Sequence, residues 1–522
     1  LKIQNLFLLG HPQTKALEIY FQAWKKSHEA RSRIIGIIEA LLPEQPMRVR
    51  SIIATNIEKF VQLNLAELIF LCNLAELQLT ETKVPPKRVL VASSFVPLFD
   101  ELGLNPPAND QITLIPQPPK NKSLQFSLGG LVLALCNGLR SLKNHLKGQS
   151  TTEPIVSREA RVGLAATWGL GSKDQKRLDD LFWWRDSEID PGRLRYLFEG
   201  SHFCPTAEWL SRAGHLGMTS VSLDRRHVRQ FPNLVLKDPI PRSLCSLIKD
   251  LAQGWKLSIH SLGGEGMSRL VASLTALQLI KASELRLVYR ALGLRGVFHH
   301  QEVGLDLVSL ASELADAARI GTHWSCFDGL SGAALKSHEA FFFWGPHDAE
   351  IAVKSGTHSN HLLIAGCVMN DYSHQRAREE AKQAVESMKR GGVQYVLALF
   401  DSSTPAVDFH GFFLEWLIKD SQLGLLIKSK KKKGLWKDGL GSLSKRALQT
   451  DRIHELERLA SPADAAAASD FSVGCGTLSA VAVSALQGAR VFYLDYEHSE
   501  RVSGKEHAIL HSLGPDRCVF YD

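Results

Sequence analysis

The sequence predicts an α/β protein with two Rossmann-like domains facing a cleft, preceded by a mainly helical N-terminal region. Three observations carry this. The chain has 522 residues, more than a single core usually serves. From about residue 160 onward, short apolar runs alternate with amphipathic stretches, the pattern of parallel βαβ units. Before that, apolar residues recur at helical spacing. The predicted divisions are 1–150 for the helical region, 151–370 for the first α/β domain and 371–522 for the second.

The elements follow in chain order. "ARSRIIGIIEALL" and "LAELIFLCNLAELQL" are helices, and "KRVLVASSF" (87–95) is a strand. Residues 105–123 hold five prolines and read as a loop or linker, and 124–150 return to helix. "ARVGLAATWGL" is a strand running into a glycine-rich turn, and "RLRYLFEG" is the next strand. "TAEWLSRAGHLG" is a helix with a glycine stop before the strand "MTSVSLDR". A long helix over "MSRLVASLTALQLIKASELRLVYRALGL" leads into "GVFHH", and "EAFFFWGP" and "HLLIAGC" are further strands. After "NDYSH" a second series begins with the amphipathic helix "QRAREEAKQAVESMKRGG" and the buried strand "VQYVLALF". It continues through "GFFLEWLIKDSQ", "LGLLIKSKKKK", "FSVGCG", an alanine-rich helix and "ARVFYLDYE".

Composition narrows the class. A hydrophobic fraction of 44% and a charged fraction of 22% describe an ordinary globular chain. The formal net charge of +7 permits an acidic ligand or an anionic membrane surface; no nucleic-acid partner is expected. The eight cysteines form no CxxC pair, which points to a reduced, cytoplasmic chain with buried thiols. Apolar runs such as "LGGLVLALC" fall well short of the ~18 residues a membrane span needs, and no signal peptide is seen. The first residue is Leu1, and the chain stops on the strand-like "RCVFYD", so a fragment with a truncated second domain is expected.

Five segments carry chemistry. In "VGCGTLSA", Gly474 and Gly476 allow close approach of a ligand to the backbone. Thr477 and Ser479 place hydroxyls at a helix N-terminus, whose free N–H groups suit a phosphate; equally, Thr477 is a plain helix cap. No G-K-[ST] follows, so this is not a Walker A loop. Lys428 ends the buried strand "LLIK", where a charge is costly unless it meets a cleft, whereas Lys430–Lys433 read as a solvated run. In "GVFHHQEVGLDL", His299, His300 and Glu302 follow a strand on the predicted cleft side. Glu302 is a candidate general base or electrostatic stabiliser and His300 a catalytic candidate, with a hydrogen-bonded structural histidine pair as the alternative, and the spacing is not that of a zinc protease. His323 and the tryptophans Trp183 and Trp184 are candidates for the acceptor side, with core packing as the alternative.

Together these segments resemble bacterial glycosyltransferases of the GT-B architecture, in particular the group that builds surface carbohydrate and capsule polysaccharide. The resemblance covers roughly residues 160–522. It rests on "KRLDDLFWWRDSEIDPGRLRYLF", "HHQE", "FFFWG", "LLIKSK" and the donor-side pattern matched by Asp470, Val473, Ser479, Ala480, Gly488 and Asp495. The family's second serine falls at Leu478, its helix glutamate at Val483 and the proline of its "KPK" at Ser429.

The resemblance implies a metal-independent transferase with no cofactor. It would move a sugar from a nucleotide-sugar donor to a surface glycan or lipid-linked acceptor, with a peripheral contact to the inner face of the plasma membrane. Lys428, Gly474, Gly476, Thr477 and Ser479 would bind the donor, Glu302 and His300 would act in catalysis, and Trp183, Trp184 and His323 would serve the acceptor. Two alternatives remain open. One is a polyol-phosphate transferase or nucleotide-sugar epimerase of GT-B-like fold, and the other is a catalytically degenerate scaffold in polysaccharide assembly.

Overall fold

The computed structural model describes residues 16–81, 88–104, 110–116, 161–166, 189–198, 205–222, 252–300, 305–323, 334–367, 375–400, 407–429, 440–475, 478–495 and 519–520, with short gaps inside these spans and a few positions between them. The chain opens on three helices, α1 (Ala16–Glu29), α2 (Arg31–Leu41) and α3 (Met47–Glu81). On α3, Val49, Ile53, Ile57, Val61, Leu65 and Leu68 recur at helical spacing, and all are buried. Strands β1 (Val89–Ser93) and β2 (Ile112–Pro116) then pair in parallel.

The first large sheet follows. Its elements are β3 (Arg161–Ala165), β4 (Leu194–Phe198), α4 (Ala207–His215), β5 (Thr219–Ser222), β6 (Val235–Leu236), α5 (Gly266–Ala291), β7 (Leu294–His299), α6 (Leu307–Leu314), β8 (Ala318–Thr322), β9 (Ala340–Phe343), α7 (Pro346–Lys354) and β10 (His361–Ile364). The eight strands run parallel in the order β10-β9-β8-β7-β3-β4-β5-β6. The order reverses between β3 and β7, which makes the carboxyl ends of those strands the topological switch point where open α/β sheets usually bind ligands.

The N-terminal helices share a core with this sheet. Ile34, Ile53 and Leu65 belong to one buried cluster with Val271 and Leu279 of α5, Leu310 of α6, and Leu294 and Val297 of β7. Asn56 of α3 crosses that layer, donating from Nδ2 to Gln278 Oε1 at 2.8 Å. The opposite face of the sheet packs Tyr196, Phe198 and Phe298 against α4 through Ala213 and Trp209.

The second sheet is built from α8 (Gln375–Arg390), β11 (Tyr395–Phe400), α9 (Val407–Lys419), β12 (Leu423–Lys428), α10 (Gly441–Leu448), β13 (Ile453–Glu455), α11 (Pro462–Ala466), β14 (Phe471–Cys475), α12 (Leu478–Leu486), β15 (Arg490–Leu494) and β16 (Val519–Phe520). Its six parallel strands lie in the order β13-β12-β11-β14-β15-β16. Counted from β11, that is the 3-2-1-4-5-6 order of the dinucleotide-binding Rossmann sheet, with its switch point between β11 and β14. Helices cover both faces. Phe413, Leu414 and Leu417 of α9 pack on Leu397, Leu425 and Ile427. On the other face, Ala377, Ala381, Val385 and Met388, spaced for one stripe of α8, pack on Val396, Ala398 and Leu426. The predicted glycine stop of α8 is Gly392, whose φ of 95° a residue with a side chain rarely adopts.

The expected fold class holds: two parallel α/β sheets of Rossmann type and a helical N-terminal region. Among the described residues no helix is long and apolar enough to cross a membrane.

Candidate functional site at the carboxyl ends of the two sheets

The carboxyl ends of the two sheets meet. Cys326, four residues past β8, donates its backbone N–H to Ser479 Oγ in the first turn of α12 at 2.9 Å. Around that contact Trp344, which follows β9, and Cys326 are buried with Val481 and Val483 of α12, Tyr493 of β15 and Ala463 of α11. Loops after the strands of one sheet therefore face the loops and helix starts after the strands of the other. Ligands of open α/β sheets bind at such edges.

On the second sheet, one row crosses the switch point. Phe400 is in register with Lys428 on one side and Gly474 on the other, and Gly474 with Tyr493. Two strand spacings, about 10 Å, separate the backbones of Lys428 and Gly474. Lys428 is half-buried, and its ammonium donates to the Ser429 carbonyl at 2.9 Å. Ser429, where the resemblance expects proline, donates through its hydroxyl to Glu455 Oε1 at 3.4 Å. That buried carboxylate ends β13 next to Lys428's strand, and the sequence analysis did not single it out.

Gly474 is buried next to the last residue of β14, and α12 begins four residues later at Leu478. The N–H groups that open α12 therefore lie at the switch point, with the positive end of the helix dipole. Ser479 is engaged across the sheet interface as an acceptor, as given above. Val483, where the resemblance expects a helix glutamate, is packed with Trp344 and Cys326, so no ribose contact is made from that position. Asp495, just past β15, is buried. Gly476 and Thr477 lie outside the described residues, as do Glu302, Trp183 and Trp184.

On the first sheet, the switch point is occupied by histidines. His299 ends β7 beside β3, and its Nε2 lies 2.9 Å from Asp306 Oδ1. The same oxygen accepts the Ser309 N–H at 2.8 Å, capping α6. Asn56 holds the Asp306 backbone in both directions, accepting its N–H at 3.0 Å and donating to its carbonyl at 3.2 Å. His338, in the segment before β9, stacks on His299 with ring centroids 4.3 Å apart. His299, Asp306 and His338 are each at most 2% exposed.

Burial by itself would raise the Asp306 carboxyl. The charge of His299, the hydrogen bond between them, and the nearby His338 and Lys59 outweigh it and hold the carboxyl well below the usual carboxylate range. Burial, then the charge of His299, pushes the His338 imidazole well below its ordinary value. His300 faces away from this pair, with Nδ1 3.3 Å from the Thr322 carbonyl. Burial and the neighbouring His299 push its imidazole down to about 3, so it is neutral at physiological pH. With the proton on Nδ1 for the Thr322 carbonyl, Nε2 is the basic nitrogen.

His323 is fully buried. Its Nε2 accepts the Trp344 backbone N–H at 3.0 Å, and its carbonyl accepts the Trp344 indole N–H at 3.0 Å. The ring stacks on Trp344 and Phe341. These surroundings are those of a packed side chain that ties β8 to the end of β9.

Gly321 in β8 shows how tightly the cluster is built. A methyl group there would stand 2.3 Å from His338 Cδ2 and Nε2, and 3.0 Å from the His299 carbonyl. Gly321→Ala is expected to cost roughly 1–3 kcal/mol of stability, measured by urea unfolding. A variant as stable as the parent would contradict this packing.

Sequence reading placed His299 and His300 at a cleft-facing strand end but passed over Asp306, His338 and Asn56. Asp306 carries a local signal, a helix N-cap three residues before Ser309. His338 and Asn56 carry none, because only the fold brings them to His299.

A 600 Å³ open pocket lined by Ser211, His215 and Thr219 lies at the amino end of β5, away from both switch points.

No family model and no curated protein matches the chain. Among solved structures, the UDP-GlcNAc 2-epimerase from Neisseria meningitidis, bound to UDP-GlcNAc, aligns at 12% identity over 59% of this chain and 77% of its own, with a TM-score of 0.32. At that score the likeness carries no argument, and the strand order stands as the basis for the fold.

Proposed function

We propose that the protein is an enzyme acting on a nucleotide-linked sugar, and within that class a GT-B-type glycosyltransferase. It would displace the nucleotide from the anomeric carbon in favour of a glycan or lipid-linked acceptor. The observation that carries this reading is the 3-2-1-4-5-6 order of the second sheet, with Lys428 and the start of α12 on either side of its switch point. That arrangement supports a diphosphate lying across β11, met by an ammonium on one side and a helix N-terminus on the other. Both stabilise negative charge as it grows on the leaving phosphate.

In this reading Gly474, Gly476 and Thr477 line the phosphate, and Ser479 couples the donor site to the other sheet through Cys326. The base comes from the first sheet, with Glu302 and His300 as the candidates. With its imidazole pushed down to about 3, His300 is a weak base and suits a hydrogen-bond acceptor, which favours Glu302 as the base. Acceptor contacts are assigned to Trp183 and Trp184. The domain divisions near 150 and 370 are part of the same proposal, as is a cytoplasmic site of action.

The test is a nucleotide panel of UDP, GDP, CDP and CMP read by thermal shift. A nucleotide present at 100 times its Kd stabilises the folded chain by about 2.7 kcal/mol. One base is expected to raise the melting temperature and the others much less. No shift with any of them would overturn the donor site.

A further inference from the structure

The cluster at the first switch point holds more unsatisfied polar atoms than a protein core tolerates. Among the described residues, His299 Nδ1, Asp306 Oδ2 and both ring nitrogens of His338 have no hydrogen-bond partner, though all are out of contact with solvent. Each such atom costs about 1–3 kcal/mol if left so. His338 is the most telling, since among the described residues its ring meets the face of His299 and the edge of Phe341 and no hydrogen-bonding group.

Two imidazoles and a carboxylate are also a ligand set. One donor atom from each of His299, Asp306 and His338 lies within 4.8 Å of the others. A tetrahedral ion with donors at about 2.0–2.2 Å holds them roughly 3.3–3.6 Å apart. The three donor atoms are therefore already grouped on the scale of one coordination shell, with His299 Nε2 and Asp306 Oδ1 2.9 Å apart.

We propose that His299, Asp306 and His338 bind one divalent transition-metal ion, with zinc as the best fit to the donor set. Three protein ligands leave a fourth position for water or a substrate oxygen. The charges around the site decide the class of ion. Lys59 of α3 is close enough to act by charge on both Asp306 and His338, and Lys336 acts on His338. These ammonium groups offset the single carboxylate, so binding rests on imidazole nitrogen and not on accumulated negative charge. That selects zinc, cobalt, nickel or copper over magnesium and calcium. Support from outside the ligands is present as well: Ser309 and Asn56 hold Asp306 in place through side chain and backbone.

The ion would join β7, α6 and the segment before β9 at one point. The site is separate from Lys428 and α12, and it stands whether or not the protein transfers a sugar.

The full chain is stripped with EDTA, dialysed and titrated with zinc chloride by calorimetry, with magnesium chloride as the comparison. One zinc per chain and no magnesium is the expected result. His338→Gln is the working variant, because that side chain makes no hydrogen bond whose loss would unfold the protein. It is expected to weaken zinc at least about 10-fold, while His215→Gln, in the distant pocket, leaves binding unchanged. X-ray absorption on the zinc-loaded parent keeps the test decisive if His338→Gln fails to fold: a shell of nitrogen and oxygen with two imidazoles is expected. No zinc binding by the stripped parent, undiminished binding by a folded His338→Gln, or a sulfur-containing shell would each overturn the site.

Discussion

Replacing Asp306 by alanine is expected to lower stability by about 2–5 kcal/mol, the cost of removing a buried hydrogen-bonded carboxylate and a helix cap together. A single oxygen of this carboxylate accepts from His299 and from the Ser309 N–H, so the substitution strips an imidazole and a helix start together. His299 is 2% exposed, so bulk solvent does not reach it to replace the lost partner. Asparagine caps a helix about as well as aspartate. Asp306→Asn is therefore expected to recover the cap and lose the charge, and to fall between the parent and alanine. Urea unfolding followed by tryptophan fluorescence measures both. A loss below about 1 kcal/mol for alanine would mean that the pair contributes little and that the helix finds another cap.

Lys428→Ala is the second. If the donor phosphate lies across β11, removing this ammonium is expected to lower turnover roughly 100-fold or more, the scale of losing one group that stabilises the transition-state charge. The fold is expected to persist, because the side chain is half-buried at the end of β12 and its ammonium bonds to the adjacent Ser429 carbonyl. Turnover with the nucleotide sugar chosen by the thermal-shift panel, alongside far-ultraviolet circular dichroism, separates the two effects. Lys428→Arg, which keeps the charge, is expected to retain part of the activity. A parent-like rate in folded Lys428→Ala would remove this residue from the mechanism.

Much of the second sheet was legible in the sequence. The stripe of Ala377, Ala381, Val385 and Met388 marked α8, the continuous apolar run of β11 marked a strand buried on both faces, and Gly392 marked the helix stop. These signals are local: each depends on residues within one or two turns. The loop-to-helix step at β14 was likewise legible, since small residues followed by an alanine-rich helix admit few other shapes. The reading of His323 as an acceptor-side residue met a different environment, a buried ring locked to Trp344. A histidine at a strand end looks alike in sequence whether it turns outward or packs under the next strand.

Strand and helix periodicity, the capping residues and the absence of long apolar spans were properties of the sequence by itself, because short-range sterics and burial decide them. The order of the strands was not. Hydropathy is the same for any arrangement of six buried strands, and only packing placed β14 beside β11 to make the switch point between Phe400 and Gly474. The same holds for the histidine cluster. Asn56, His299, Asp306 and His338 come from four separate stretches of chain and meet because α3 and the β7–β9 region bury their apolar faces in one layer. Burial then set their chemistry, since the same side chains in water would be solvated singly and would not shift one another's protonation.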